Sequence, residues 1–179
     1  MTNAQLILDM IFIIVFSCYL YWLWGLIRAL KSDAPYVPMN AAALRSMITL
    51  AAANPHDVWY DLGSGNGRVL IAAVNRYGLR GVGIEQIRPL RIWSRLRIWL
   101  RGLASKITIL PGDFFTIDVS KATIVSLYLL PTTHSRLSAK LLRELRPGTK
   151  VLWHRFALPG MPITDSDEEH AVYMSVIGN

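Results

Sequence analysis

The chain contains one cysteine, Cys18, among 179 residues. A single thiol excludes a disulfide framework and any metal site built on cysteine pairs. Histidine is scarce as well, and His56, His134 and His170 fall at no spacing a metal would use, so no metal is expected. Acidic residues are few: 12 Asp and Glu stand against 19 Lys and Arg, giving a net charge of +7 and a pI near 9.9. That balance suits an anionic lipid surface, an RNA or an acidic partner, and charge alone does not choose among them. No internal repeat or low-complexity stretch occurs, and the length leaves room for one domain.

Charge is missing altogether where the apolar residues concentrate. Residues 6–27 form an almost unbroken apolar run interrupted by Asp9, and nothing between Met10 and Ile27 is charged. At the helical rise that uncharged stretch spans about 27 Å, close to the hydrocarbon thickness of a bilayer. Tyr19, Tyr21, Trp22 and Trp24 crowd its C-terminal end, where an interfacial aromatic belt would sit. The start MTNAQ has no basic residue, and no small-x-small cleavage site follows, which argues against a cleaved signal peptide. A buried N-terminal helix is the other alternative. Arg28 and Lys31 follow the run and nothing positive precedes it, so the expectation is a single-pass anchor over 1–30 and a domain over 31–179 on the cytoplasmic side.

Beyond a short linker at 29–38, the pattern alternates between strands and helices. Asn40 is placed to cap a helix over 40–53. Strands are predicted at 58–62, 81–85, 107–110, 123–130 and 150–154, with helices at 68–77, 89–102 and 135–145 between them. A last strand is predicted at 171–177, and Asp165 to Glu169 reads as a solvated turn. This alternation predicts an α/β fold: a Rossmann-like, doubly wound, mostly parallel sheet with a shortened C-terminus, preceded by one transmembrane helix. Ligands of such sheets bind beyond the C-terminal ends of the strands. Residues 88–101 hold five arginines together with Trp93 and Trp99. Ile92, Trp93, Leu96, Trp99, Leu100 and Leu103 make one helical stripe, expected to pack on the sheet with the arginines snorkelling at its flanks. Contact with anionic headgroups is the sharper alternative.

The most informative segment is Val58-Trp-Tyr-Asp-Leu-Gly-Ser-Gly-Asn-Gly67, a buried strand that runs directly into glycines at 63, 65 and 67 and then a helix. Glycines at such a turn let the backbone approach a ligand where a Cβ would clash, and they aim helix N-terminal amides at it. Arg68 stands where the dinucleotide fingerprint needs its third glycine, and no Gly-Lys-Ser/Thr follows, so neither that fingerprint nor a Walker loop is met.

With Asp61 preceding Gly63-Ser64-Gly65-Asn66-Gly67, the segment resembles the first motif of class I, seven-strand S-adenosylmethionine-dependent methyltransferases. The resemblance implies S-adenosyl-L-methionine as cofactor. It assigns Asp61, Gly63, Ser64, Gly65 and Gly67 to the cofactor turn and Glu85 to the two ribose hydroxyls. Asp113, in Gly112-Asp-Phe-Phe115, would accept a bond from the adenine amino group, and Phe114 would cover the ring. Tyr36-Val37-Pro38, DLGSGNGR at 61–68, SLYLLP at 126–131 and LLRELRPG at 141–148 are similar to one subfamily. It comprises small single-pass protein-lysine methyltransferases whose mitochondrial members modify the ATP synthase c-subunit and the adenine nucleotide translocase. Two departures stand out: Asn66 where relatives carry Asp, and a tail with room for one strand in place of a final hairpin.

By the same resemblance Tyr128 and Pro131 lie beside the transferred methyl group, and Tyr36 closes over the cofactor as part of an N-terminal lid. A structural tyrosine is the bland reading of Tyr128, and a buried structural histidine that of His154. The implied function is N-methylation of a lysine in a membrane-associated protein. The rivals are RNA methylation, lipid-amine methylation and a non-catalytic cofactor-binding scaffold. Against RNA stand the tether and the absence of an Asn/Asp-Pro-Pro-Tyr motif, since that place reads Ser-Leu-Tyr-Leu-Leu-Pro.

Overall fold

A computed structural model of the chain describes residues 3–30 and 39–178. The first element, α1 (Asn3–Leu30), carries the apolar run; its Ala4–Gly25 stretch is long and apolar enough to cross a bilayer, and its most apolar window is unburied. The next helix, α2 (Ala41–Leu50), starts where Asn40 accepts a 2.7 Å bond from the Ala43 amide. Five strands and three helices follow: β1 (Val58–Leu62), α3 (Arg68–Tyr77), β2 (Arg80–Glu85), α4 (Arg88–Leu100), β3 (Ile107–Pro111), β4 (Ile124–Leu127), α5 (Pro131–Glu144) and β5 (Lys150–His154), the segment between β3 and β4 lacking a helix. The chain closes with β6 (Asp165–Asp167) and β7 (Val172–Val176).

The seven strands are ordered β3-β2-β1-β4-β5-β7-β6. All neighbours from β3 to β5 run parallel, while β7 is antiparallel to both β5 and β6. Strand order reverses between β1 and β4, and the crevice beyond their C-terminal ends is where such sheets take ligands. Successive residues of the central strands feed opposite cores, as the two-residue strand period requires. Trp59 and Leu152 join Met47, Leu70 and Val74 under α2 and α3. Tyr60, Val151 and Trp153 join Leu137 and Leu141 of α5 on the other face.

Four expectations need correction. The strand expected at 123–130 stops at Leu127, and the helix expected from Ser135 opens at Pro131. The residue before a proline is steered out of the helical region, while proline itself suits the first helical turn; Leu130 is accordingly extended and Pro131 begins α5. The tail expected to hold one strand holds two, completing the hairpin in few residues. Asp165 to Asp167, read as part of a turn, form β6, and the Ala171 amide closes the true turn on the Glu168 carbonyl at 3.1 Å. A three-residue edge strand needs no apolar face, so its all-polar sequence gave no strand signal.

The fourth correction concerns α4. The apolar stripe expected against the sheet points outward: Ile92, Trp93, Leu96, Trp99 and Leu100 are all exposed, and only Ser94 and Ile98 are buried. Three of the arginines reach back to backbone carbonyls in their place. Arg91 donates to the carbonyls of Glu85 and Gln86, Arg95 to Ile109 at 2.7 Å, and Arg97 to Asn66 at 2.9 Å. Gly67 explains the inversion locally: a Cβ there would meet Ser94 Cβ at 3.4 Å and Ile98 Cδ1 at 3.6 Å, so α4 approaches too closely for large side chains.

Candidate cofactor site

The turn after β1 is shaped by three left-handed glycines, with φ of 76° at Gly63, 52° at Gly65 and 73° at Gly67. Side chains larger than hydrogen are strained in that region, so the conformation itself demands glycine. The turn is held from β2: the amides of Gly63 and Ser64 both donate to the Ile84 carbonyl, at 2.9 and 3.0 Å. Gly83 in β2 makes room for it, since a Cβ there would fall 2.6 Å from Ser64 Oγ.

Glu85 ends β2 almost fully buried and grips the same turn. Its Oε2 accepts the Gly65 amide at 2.8 Å, and its Oε1 accepts the Ile87 amide at 2.7 Å. Burial pushes the Glu85 carboxyl up, while those two amides and the Arg91 guanidinium oppose the shift. A carboxylate offers about four acceptor positions, so two further donors can still be received.

Asp61, the last residue but one of β1, lies one strand over, buried, with Oδ1 accepting a 2.6 Å bond from Ser126 Oγ. Ser126 in turn accepts from the Trp59 indole at 2.8 Å, giving a relay from Trp59 through Ser126 to Asp61. Burial lifts the Asp61 carboxyl to about 7; the Ser126 bond pulls it down and the neighbouring Glu85 charge adds to the rise. Ser126 and Trp59 were not singled out in the sequence, although a lone serine in an otherwise apolar strand was the available signal.

The segment after β4 lies alongside the turn, because a Cβ on Gly63 would meet Leu129 Cδ2 at 3.2 Å. Tyr128, half-buried, packs its ring on His154 edge-on at 4.6 Å between centroids. His154 is 3% exposed, its Nδ1 lies 3.0 Å from the Ala171 carbonyl, and burial holds its pKa below the ordinary value. His134, assigned no role from the sequence, fastens this segment: its ring nitrogens lie 2.9 Å from the Ala157 carbonyl and 3.2 Å from that of Leu129. Pro131 stands at the first turn of α5, three residues from Tyr128.

Asp113 follows β3 directly, and its Oδ1 accepts the Phe115 amide at 2.9 Å, leaving Oδ2 outside that bond. β3 pairs with β2 so that Pro111 sits opposite Glu85, which puts Asp113 just beyond the Glu85 level. Phe114 leans on Phe115, with ring centroids 4.7 Å apart. Tyr36 lies outside the described residues. The nearest described anchor of its segment is Met39, whose carbonyl accepts a 2.7 Å bond from Arg68 at the start of α3. Among the described residues no group of His, Cys, Asp and Glu could hold a metal ion.

The residues present fit an S-adenosyl nucleoside. Ser64 Oγ is buried in the glycine turn and has no hydrogen-bond partner, and such an atom is costly to leave unpaired. Glu85 keeps spare acceptor positions, and the Asp113–Phe114 pair adds an acceptor beside an aromatic face.

Comparison with known proteins gives the same answer. A model of the ANTKMT methyltransferase domain matches residues 61–165. A protein-lysine N-methyltransferase of Saccharolobus islandicus is 37% identical over 152 residues, covering 80% of this chain and 94% of its own. The adenine nucleotide translocase lysine N-methyltransferase of Mus musculus is 29% identical over 147 residues, and the match spans 78% of this chain but 63% of the mouse protein. A crystal structure described as an RNA methyltransferase from Salinibacter ruber in complex with S-adenosyl-L-homocysteine superposes with a TM-score of 0.75 at 38% identity, covering 79% of this chain and 94% of that one. The turn, the two buried carboxylates and these matches together place the chain in the family of the ANTKMT methyltransferase domain, as an S-adenosylmethionine-dependent methyltransferase.

Proposed function

We propose that this methyltransferase N-methylates lysine in a protein at the membrane, with residues 1–30 as a single-pass anchor and residues 31–179 as the catalytic domain on the cytoplasmic side. The observation that carries the substrate class is the 37% identity to a protein-lysine N-methyltransferase across 94% of that protein. Support for the membrane comes from the unburied apolar helix and from Arg28 and Lys31, which follow the apolar run in the sequence.

When bound, S-adenosylmethionine supplies a methyl group activated on a sulfonium. The chain's own task is to align the amine and exclude water. Glu85 receives the ribose hydroxyls, Asp113 the adenine amino group, and Phe114 covers the ring. Asp61, Gly63, Ser64, Gly65 and Gly67 form the wall beside the methionine end. Tyr128 and Pro131 border the acceptor, and Tyr36 closes the site from the N-terminal side. A lysine is nucleophilic only when neutral, and desolvation lowers its pKa. The half-buried Tyr128, backed by a neutral His154, offers a low-polarity wall with one hydroxyl for that purpose.

RNA is the second reading, favoured by the description of the Salinibacter ruber structure and by the net charge of +7. The two separate cleanly in a labelling experiment. Full-length enzyme in membrane vesicles is supplied with radiolabelled cofactor, and the label is followed through nuclease treatment, solvent extraction and acid hydrolysis. Methyllysine in the protein hydrolysate is the expected product. Label lost to nuclease would move the substrate to RNA, and label in the solvent phase would move it to lipid.

A further inference from the structure

The large apolar residues of α4 face outward while Arg91, Arg95 and Arg97 reach back to backbone carbonyls, which reverses the usual polarity of a surface helix. Pro89, Ile92, Trp93, Leu96, Trp99 and Leu100 recur at the three-, four- and seven-residue spacings of one helix face. Trp99 is 66% exposed and Leu100 64%. Soluble surfaces scatter single apolar residues; a contiguous patch of this kind marks an interaction site. The partner's chemistry follows from three further observations. The patch is continuous with α1: Gly25 is buried, and a Cβ on it would meet Pro89 Cγ at 3.0 Å, so the apolar helix leans on the first residue of the stripe. The surroundings are cationic, with Arg88 and Arg101 exposed at the borders. No acidic residue occurs from Gln86 to Gly112.

We propose that the outward face of α4 lies on an anionic bilayer surface, as a second membrane contact beside α1. The inference rests on the reading of α1 as a membrane span. Tryptophan and leucine on one face with arginine at its edges is the composition of an interfacial helix lying in the headgroup plane. Because α4 begins three residues after Glu85, the N-terminal end of the docked face, at Pro89, lies at the same end of the sheet as the cofactor site. Docking therefore turns that end toward the headgroups, and the lysines within reach are those held at that level. A lysine on a loop far out in the cytoplasm is not served.

Site-directed nitroxide labelling of the full chain tests this in vesicles of phosphatidylcholine with phosphatidylglycerol. Cys18→Ser removes the native thiol, and single cysteines are placed at Leu96→Cys on α4, Ile14→Cys on α1 and His56→Cys in the exposed turn before β1. Binding of S-adenosylhomocysteine by each variant verifies the fold, and Leu100→Cys replaces Leu96→Cys if that variant fails. Nitroxide collisions with oxygen report lipid, and collisions with a water-soluble nickel chelate report solvent. At position 96 oxygen should dominate, as at position 14, with the reverse at position 56. Nickel dominating at 96 while oxygen dominates at 14 overturns the docking of α4 and leaves the span intact. Nickel dominating at 14 removes the span itself. Protection from both at 96, with dipolar broadening between labels, would assign the face to a second copy and also overturns the proposal.

Discussion

At the position of Asp61 the fold holds a carboxyl whose pKa is raised from 3.8 to about 7, chiefly by burial. The sign of the consequence is fixed. Between those values the folded chain keeps a proton that the unfolded chain has released, so stability falls as pH rises from about 4 to 7 and levels off above. Asp61→Asn keeps an oxygen to accept from Ser126 but does not titrate. Its melting temperature, followed against pH in micelles without ligand, should lose that decline; profiles parallel to the parent would refute the assignment. Glu85 is tested differently, because its carboxylate also holds Gly65 and Ile87, so a simple loss of affinity would be ambiguous. A cofactor analogue lacking both ribose hydroxyls should bind the parent roughly 5- to 150-fold more weakly, the effect of about 1–3 kcal/mol for unpaired buried groups. With Glu85→Gln the analogue and S-adenosylhomocysteine should differ far less. Equal penalties in both proteins by calorimetry would mean the ribose is read elsewhere. Both carboxyl groups were legible through the family resemblance, Asp61 ahead of the glycine run and Glu85 at the end of the next strand. The Ser126 relay could not, since its hydrogen bonds join residues far apart in sequence.

β2 bears on the site through what it lacks. A Cβ at Gly83 would lie 2.6 Å from both Ser64 Oγ and Ile109 Cδ1, whereas one at Gly81, two residues earlier, would meet Leu70 Cδ2 at 3.2 Å. Gly83→Ala must therefore push the glycine turn, costing about 1–3 kcal/mol as overpacking does and weakening S-adenosylhomocysteine binding as well. Gly81→Ala should affect stability more mildly and leave binding unchanged. Comparable binding losses in the two variants would show that Ser64 is not placed by β2. The order of strands and helices was plain from the alternation of apolar runs with glycine and proline breaks. What stayed hidden were contacts decided by packing distance. The period of α4 showed an apolar stripe but not which way it faced, and the answer depended on Gly67 bringing Ser94 and Ile98 close. Likewise β6 is strand only because β7 offers it an edge, and its acidic sequence carries no trace of that pairing.

For the molecule as a whole, the apolar helix and the outward face of α4 meet at Gly25 and Pro89, and the cofactor site lies at the same end of the sheet. If both surfaces are in lipid, the enzyme samples a thin layer beside one membrane. Encounters are then governed by the effective concentration within that membrane, and bulk concentration matters little. Enzyme embedded in the same vesicles as its substrate should therefore methylate it about 10²-fold or more faster than enzyme embedded in separate vesicles, at equal total amounts of both. The comparison uses the full chain throughout, with radiolabelled cofactor and a gel of labelled proteins at short times, before vesicles can exchange contents. Raising the salt concentration should narrow the gap little, because the apolar helix and the Trp93–Trp99 face are insensitive to screening that would dissociate an arginine-only contact. Equal rates from the two vesicle arrangements would mean that the site reaches across to other surfaces. The apolar helix would then locate the enzyme without restricting its substrate, and the lysine sought would lie on a loop or protein free to approach from solution.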